Sequence, residues 1–445
     1  MKRLGLLFFL MCCTACSQTQ RLTSFFETPV SFDSPETLSQ DAPSVKTVSM
    51  LLPLTGNQEV IGKDMQNAAL MALKDQPQPR LRLLFFDTKG TPEGAKEAYQ
   101  WAKAQNSDLI LGPVFSNELK ALGTSFLNAP NILSYTSDST VLDQQKSSFA
   151  LLIPNQIDTI IHQACLEGKQ RIAVLGSESK TGEIVMNSLD KAIQKCPQMH
   201  LKKYGLYGEK EENLTPAILK ILPPIVDPKK KNLTEEEQQI LATPMQERLD
   251  FDLLIVFEDG IRLSQAIAIL AFYDVNPQIV PIYTLASVKP LKDRALNGVL
   301  FADLPDKKNA VFTRRYWDIF GKKPASLASF AYDSVRWASD QADQEKLNLA
   351  TLKNNGPYDG VDGLIRLNED GTNTRGLRLV QKKGRLVQEI IPAPETLEQD
   401  PTAFFMSPTT ESTDLTLVSP ESWGESHGAP AQSNDFETPE QSPLD

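Results

Sequence analysis

The sequence predicts an α/β protein in which parallel sheets are covered by helices on both faces. Between residues 46 and 394, apolar segments of strand length alternate with segments whose apolar residues recur at helical spacing. This alternating order is typical of parallel sheets joined by helices. The region is also long enough to form two sizeable hydrophobic cores.

Charge is distributed unevenly along the chain. Residues 395–445 contain 11 acidic side chains and no Lys or Arg, which equals the formal net charge of −11 for the whole chain. The remainder is therefore balanced, and a strongly basic nucleic-acid binder is excluded. This tail is rich in Ser, Thr and Pro, so we expect it to be disordered. Its apolar positions, Phe404-Phe405-Met406 and Trp423, could dock a partner, although a solvated tail is the simpler interpretation.

The N-terminus has the features of an export signal. Lys2 and Arg3 precede an apolar run that is too short to span a bilayer. A small residue before Cys16 is typical of a bacterial lipoprotein cleavage site, with residues 1–15 removed and Cys16 lipidated. Ser17 in the next position favours the outer membrane. The alternative is an ordinary secretory signal cleaved nearby. Residues 16–45 are polar and predict a flexible tether.

Export places the remaining cysteines in an oxidising compartment. Cys165 and Cys196 lie near the ends of consecutive predicted helices on either side of one strand. Two internal cysteines in such a compartment favour one disulfide. Two buried free thiols are the alternative.

The predicted elements follow from apolar runs, helical spacing and helix-start residues. Residues 227–248 are lysine-rich and then glutamate-rich, which predicts an exposed helical insertion. Residues 363–367 and 377–380 are predicted to form a closing hairpin, and 368–371 to form a hairpin turn and not a calcium loop. The other predicted strands are 47–52, 81–86, 108–111, 131–135, 171–175, 251–257, 279–284 and 298–301. The other predicted helices are 62–74, 91–103, 116–127, 156–167, 182–195, 262–273, 309–320 and 327–340.

Motifs for catalysis are missing from the sequence. His162, His200 and His427 stand outside any H-E-x-x-H pattern or metal-ligand spacing. No G-x-S-x-G elbow, Walker loop or G-x-G-x-x-G after a strand is present. We therefore expect no metal, no cofactor and no enzymatic activity.

Polar loops follow the predicted strands at the edge where open α/β sheets bind ligands. In the first half, the candidate ligand-binding residues are Thr55, Ser116, Thr136, Ser137 and Thr140. Ser116 is predicted to start a helix, where a hydroxyl and backbone N–H groups can hold a carboxylate. Alternatively, Ser116 only caps its own helix.

The second half of the chain adds one candidate. Glu258 follows a predicted strand and could bind a cation across a cleft, with a solvated pair of Glu258 and Asp259 as the alternative.

Several motifs resemble the type I periplasmic binding fold of branched-chain amino-acid receptors. They are "SMLLPLTGNQEVIGKDMQNAALMAL", "LILGPVFSNEL", "NILSYTSDST" and the late segment "YDGVDG" with Leu367 and Gly371. Two further details, "LILGPVFS" and "AFYDVNPQIVPIYT" ahead of "SLASFAYDSV", resemble one subset, the penicillin-binding-protein activator lipoproteins. Members of this subset stimulate peptidoglycan synthases.

The resemblance covers residues 46–394 and implies two lobes joined by crossover strands, each lobe with a parallel sheet flanked by helices. It places residues 46–153 and 283–350 in the first lobe, and 154–282 and 351–394 in the second. It also implies that hinge closure of the cleft between the lobes could change what a partner contacts.

The resemblance also implies roles for individual residues. Ser116 matches the receptor serine that binds the ligand carboxylate, while Thr140 and Glu258 match groups near the ligand ammonium. The sequence departs from the receptors at Thr181-Gly182, where an aromatic residue normally precedes the glycine. An aliphatic ligand would lose a large apolar contact there.

Two functions are compatible with these features. The first is a lipid-anchored, non-enzymatic protein of the bacterial envelope that faces the periplasm and activates a penicillin-binding protein. The second is a solute receptor for an amino acid or a short peptide that serves an ABC transporter. Neither function involves nucleic acid.

Overall fold

The computed structural model describes residues 45–77, 80–123, 131–210, 212–342 and 347–397. The predicted signal peptide, Cys16, nearly all of the predicted tether and the tail from residue 398 lie outside the described residues. Within the described part, no helix is long and apolar enough to cross a bilayer.

The predicted α/β class with parallel sheets flanked by helices is confirmed. The strands are β1 Lys46–Leu52, β2 Leu81–Asp87, β3 Leu109–Leu111, β4 Ile132–Ser134, β5 Lys146–Ser148, β6 Arg171–Ser177, β7 His200–Tyr207, β8 Leu253–Phe257, β9 Ile282–Thr284, β10 Leu300–Asp303, β11 Tyr358–Gly360, β12 Gly363–Leu367, β13 Asn373–Arg375, β14 Arg378–Lys383 and β15 Leu386–Ile391. The helices are α1 Glu59–Lys74, α2 Pro92–Ala104, α3 Ser116–Ala121, α4 Ile153–Leu166, α5 Lys180–Gln194, α6 Thr215–Ile221, α7 Glu235–Ala242, α8 Met245–Arg248, α9 Gly260–Phe272, α10 Lys307–Phe320, α11 Ala328–Asp340 and α12 Leu349–Asn354.

The first sheet has five parallel strands in the order β2-β1-β3-β4-β5. Alternation along β1 directs Met50 into a core that includes residues of α1 and α11, and Leu51 into a core on the opposite face that includes residues of α2. Both faces of the strand are therefore buried, which explains why its sequence is an apolar run.

The second sheet has seven strands in the order β15-β14-β10-β9-β8-β6-β7. The five strands from β10 to β7 are parallel, and β14 and β15 add an antiparallel edge. In β8 every residue is buried, with Leu254 and Val256 facing one core and Leu253 and Ile255 facing the other.

A third, smaller sheet contains β11, β12 and β13, all antiparallel. Residues 368–371 turn the chain between β12 and β13, with Gly371 at φ 86° and its N–H donating to the Asn368 carbonyl at 3.2 Å. The predicted turn is thus present. However, the predicted hairpin of 363–367 with 377–380 is wrong, because β12 pairs with β11 and β13 whereas β14 pairs with β10 and β15.

The predicted lobe limits also need correction. Strand β10, assigned to the first lobe from the sequence, extends the second sheet, because it pairs with β9 and β9 pairs with β8. The predicted boundary between residues 282 and 283 divides β9 itself. Conversely, residues 358–375 belong with the first lobe, since Ile365 and Leu367 join the core formed around β1 and α11. The described chain passes between the lobes near residues 150, 305 and 376.

Two local expectations concern the second lobe. Cys165 and Cys196 form a disulfide, with Cα atoms 6.3 Å apart, and are not free thiols. In the insertion 227–248, neither α7 nor α8 has a buried residue, so this segment is an exposed helical addition to the core.

Candidate functional site

A cleft of about 900 Å³ lies between the two lobes. Residues of the loops after β3 and β4 line it from the first lobe, and residues of the second lobe near the ends of β9 and β10 line it from the other side. The carboxyl ends of parallel strands therefore meet at this cleft, as expected for ligand sites in open α/β folds.

Three of the six predicted ligand-binding residues line the cleft, namely Ser116, Thr136 and Ser137. Thr55, Thr140 and Glu258 are not among its lining residues.

Ser116 is the first residue of α3, and Phe115 occupies the cap position, so Ser116 does not cap the helix. The Phe115 N–H donates to the Glu118 carboxylate at 2.9 Å. Burial raises the pKa of Glu118, and the Thr88 hydroxyl and the N–H groups of Phe115 and Val114 oppose that shift. The Glu118 side chain thus binds the N–H groups of Phe115 and Val114, the two residues that precede Ser116.

Thr136 and Thr55 stabilise their own loops. The Thr136 hydroxyl accepts the Asp138 N–H at 3.2 Å. The Thr55 hydroxyl donates to Asp87 at 2.6 Å. Burial would favour the neutral form of Asp87, but this hydroxyl and the N–H groups of Lys89, Leu54 and Thr55 outweigh it and lower the pKa of Asp87.

Thr140 hydrogen-bonds to one member of an ion pair that joins the two lobes. Its hydroxyl donates to Asp138 at 2.6 Å, and the Lys180 ammonium at the start of α5 binds the other oxygen of the same carboxylate. Burial acts to raise the pKa of Asp138, but the hydrogen bonds from Lys180 and Thr140 prevail and the pKa is lowered. We call the Asp138–Lys180 pair the interlobe latch.

Glu258 is buried at the end of β8 and faces partners of its own lobe. Arg262 Nε lies 3.4 Å from its carboxylate, and the Arg262 guanidinium lies 5.1 Å from the centre of the Tyr207 ring. Burial and the Glu258 charge raise the pKa of Tyr207. Glu258 does not line the cleft, and Arg262, one helical turn later, pairs with its carboxylate.

Close packing at the start of α5 explains the glycine of the Thr181-Gly182 pair. A Cβ on Gly182 would lie 2.2 Å from the Ser177 carbonyl oxygen and 3.1 Å from the Phe257 ring, so glycine is required. Its neighbour Thr181 is exposed and has no ring to pack on an aliphatic ligand.

Sequence analysis missed a buried charge cluster at the base of the cleft. Asp333 accepts the N–H groups of Val361 at 2.9 Å and Asp362 at 3.2 Å, and Asp362 accepts from Asn309 Nδ2 at 2.7 Å. The Arg375 guanidinium interacts with both carboxylates, and all three charged residues are buried.

The cluster contains two acids and one base in a buried environment, which shifts the pKa values of its members. Burial, followed by repulsion from Asp362, raises the pKa of Asp333 to about 7. Burial lowers the pKa of Arg375 to about 10, against the attraction of both acids. These residues are far apart in the sequence, so no local pattern could have identified them.

Among the described residues, no group of three or more His, Cys, Asp or Glu side chains is arranged to hold a metal ion.

Comparison with known proteins supports the fold. The sequence model of a family described as periplasmic binding protein matches residues 46–223. No curated protein sequence gives a significant match. Together with the two-lobed architecture, the family match defines a type I periplasmic-binding-protein fold, a fold of binding proteins and regulators.

Solved structures with this fold include receptors and a regulator. The leucine-binding protein LivK of Thermotoga maritima has 16% identity and a TM-score of 0.52, covering 79% of this chain and 100% of its own. The LpoA C-domain of Haemophilus influenzae, a regulator of PBP1A, has 14% identity and a TM-score of 0.55, covering 78% and 100%. An ABC transporter substrate-binding protein of Desulfitobacterium hafniense has 13% identity and a TM-score of 0.56, covering 78% and 99%. Such low identities establish the fold alone.

Proposed function

We propose that this chain is a lipid-anchored, non-enzymatic protein of the bacterial envelope that binds a penicillin-binding protein and activates it. One observation carries the proposal. Polar groups near two of the predicted ligand contacts are engaged inside the protein: Arg262 pairs with Glu258, which does not line the cleft, and Glu118 binds the N–H groups of Phe115 and Val114 beside Ser116.

This engagement favours regulation over transport for an energetic reason. A receptor that captures a zwitterion needs donors and acceptors that are unsatisfied until the ligand arrives, because each replaced internal bond cancels the bond gained. The likeness to the LpoA C-domain, a regulator of PBP1A, is consistent with the same interpretation.

The proposed location follows from the N-terminus. Cys16 would carry the lipid, Ser17 would direct the protein to the outer membrane, and the tether up to residue 45 would let the folded region reach a synthase across the periplasm. In this arrangement the folded region needs no catalytic groups, because binding alone would alter the partner.

A second function, a solute receptor serving an ABC transporter, is supported by the cleft itself. Its volume of about 900 Å³ is in the range of small-molecule sites, and Ser116, Thr136 and Ser137 line it. An amino acid or a short peptide is the ligand expected in this case.

The test uses the soluble chain, residues 17–445, as bait in detergent-solubilised envelope, with retained proteins identified by mass spectrometry. We expect retention of a class A penicillin-binding protein at moderate salt, and faster peptidoglycan synthesis when the two purified proteins are mixed. The matched variant lacks residues 227–248, the exposed insertion whose helices α7 and α8 contain no buried residue.

Two outcomes oppose the proposal. Recovery of a permease complex, with no synthase retained, would favour the solute-receptor function over synthase activation. Tight binding of an amino acid that is lost in Ser116→Ala, with no effect on any synthase, would have the same meaning.

A further inference from the structure

The three connections between the lobes meet at the buried charge cluster. At the connection near residue 150, the Phe149 carbonyl accepts a hydrogen bond from Arg375 Nη2. At the connection near residue 305, Pro305 packs against Gly363, the residue after Asp362, because a Cβ on Gly363 would lie 2.5 Å from Pro305 Cγ. Arg375 comes directly before the third connection, at residue 376. Every segment that joins the lobes is therefore in contact with the cluster or next to it in the chain.

Asparagine side chains tie the first connection to the third. Asn373 Nδ2 donates to the carbonyls of Ser148 and Ala150 at 2.8 and 2.9 Å. Asn155 Nδ2 donates in turn to the Asn373 carbonyl at 2.6 Å. These two connections are thus bonded into one unit beside the cluster, and a change in the cluster acts on both.

Hydrogen bonding within the cluster is incomplete. Nε and Nη1 of Arg375 and Oδ2 of Asp362 are buried and have no hydrogen-bond partner among the described residues. The guanidinium is instead packed between two rings, 5.0 Å from the centre of Phe149 and 5.1 Å from that of Phe330. A buried polar atom without a partner destabilises the folded state, so water that reached these atoms would stabilise them.

The net charge of the cluster depends on Asp333. Asp362 and Arg375 carry opposite charges, so the cluster is neutral while Asp333 is protonated and has one excess negative charge once Asp333 ionises. Burial, followed by repulsion from Asp362, raises the pKa of Asp333 to about 7. Tyr358 also faces Asp333, and burial and the Asp333 charge raise the pKa of Tyr358, so it stays neutral in this range. Lys289 of the second lobe adds an attraction to Asp362.

We propose that the charge of this cluster sets the angle between the lobes: a neutral cluster keeps the cleft closed, and an excess negative charge opens it. A buried net charge is unfavourable and is relieved by water. Asp362 lines the cleft, so opening of the lobes brings water to the cluster. The inference is independent of the proposed function, because the angle between the lobes is measured without a synthase.

The interlobe latch does not titrate in the same range. Burial acts to raise the pKa of Asp138, but the hydrogen bonds from Lys180 and Thr140 lower it. The hydrogen bond from Asp138 raises the pKa of Lys180. Both members of the latch therefore stay charged between pH 5 and pH 8, and a change in the lobe angle within that range has another origin.

Two spin labels on the soluble chain, residues 17–445, measure the lobe angle. Val60→Cys at the start of α1 and Ile261→Cys at the start of α9 place one label on the cleft side of each lobe, at positions that are 68% and 77% exposed. The other two cysteines in this chain are joined in the disulfide and take no label. We expect longer distances between the labels at pH 8 than at pH 5. If opening lowers the pKa of Asp333 by one unit, the ratio of open to closed lobes rises up to about tenfold.

Four variants assign the change to the cluster. Asp333→Asn keeps the cluster neutral at both pH values, and Asp362→Asn removes the excess charge at pH 8, so both should keep the short distance at pH 8. Asp359→Asn alters an exposed carboxylate in the same segment and should open as the unmodified chain does. His162→Gln is the second control, because an ordinary histidine has a pKa of about 6.5 and titrates in the same range.

Equal distances at pH 5 and pH 8 in the unmodified chain would overturn the proposal. A change with pH that persists in both Asp333→Asn and Asp362→Asn would also overturn it, as would one that is lost in His162→Gln. Circular dichroism identifies a variant that fails to fold, and the other cluster variant then decides.

Discussion

Asp362→Asn is expected to stabilise the protein above pH 7, although it alters a buried side chain. Asp333 and Asp362 share the buried charge cluster with Arg375, so once Asp333 ionises above pH 7 two carboxylates face one guanidinium and one negative charge is in excess. The substitution removes that excess. The Asn309 Nδ2 donor at 2.7 Å is retained by the new carboxamide oxygen.

The magnitude follows from the titration of Asp333. Burial and repulsion from Asp362 raise its pKa from 3.8 to about 7 in the folded state. A carboxyl whose pKa is raised in the folded state makes its full contribution to stability below pH 3.8. This contribution is lost as the pH rises from 3.8 through 7. Each pKa unit corresponds to about 1.4 kcal/mol. If the substitution lowers the folded pKa of Asp333 by one unit, the free energy of unfolding at pH 8 rises by about that amount.

Urea unfolding at pH 5 and pH 8 measures the effect. We expect the loss of stability between the two pH values to be smaller in Asp362→Asn than in the unmodified protein. Asp359→Asn is the control, because Asp359 lies in the same segment but forms an exposed pair with Lys308. If Asp362→Asn instead destabilises the protein most at pH 8, the carboxylate is needed as the partner of Arg375 and the reasoning is refuted.

Three further predictions concern the latch and the second lobe. The double variant Cys165→Ser, Cys196→Ser removes a disulfide that closes a loop with a sequence separation of 31. The free energy of unfolding measured with denaturant should fall by about 3–4 kcal/mol, and an unchanged midpoint would contradict this. Lys180→Ala breaks the interlobe latch. The side chains of Lys180 and Asp138 are 47% and 14% exposed, so loss of the pair should cost at most about 1 kcal/mol. A free-energy change of that size shifts the ratio of closed to open lobes by up to about fivefold. Spin labels on the two lobes should report longer distances between the lobes in this variant. In the unmodified protein the pKa of Asp138 is lowered, so the latch should persist above pH 3.8 and weaken below it. Gly182→Ala places a Cβ 2.2 Å from a backbone oxygen and should lower the free energy of unfolding by about 1–3 kcal/mol, which thermal unfolding measures.

The sequence predicted the strands that are buried on both faces, together with the edge strand β2, and missed the edge strands β5, β7 and β15. Strands β1 and β8 are apolar runs because helices cover both their faces. Strand β5, with sequence KSS, and strand β7, which alternates exposed and partly buried residues, have no such run. Their pairing depends on neighbouring strands, which the local sequence does not reveal.

Lobe assignment failed where the chain returns across the junction. The run that forms β9 has the same composition as strands of either lobe, and only its parallel pairing with β8 places it in the second sheet. Long-range pairing of this kind is decided by packing and not by local pattern.

The candidate site was predicted in position but not in its electrostatics. The loops at strand ends that the sequence identified include Ser116, Thr136 and Ser137, which line the cleft. The spacing of Glu258 and Arg262, four residues apart at the start of a helix, could have indicated that this carboxylate is already paired.

The charged groups that line the cleft are engaged within the protein. Asp138 is paired with Lys180, and Asp303 and Asp306 are paired with Arg378. The lining base Lys289 is also bonded to Asp303, at 2.7 Å. A free amino acid would therefore have to replace an internal ion pair to gain a charged contact here, and each replaced bond cancels the bond gained. A regulator that acts through its outer surface has no such requirement.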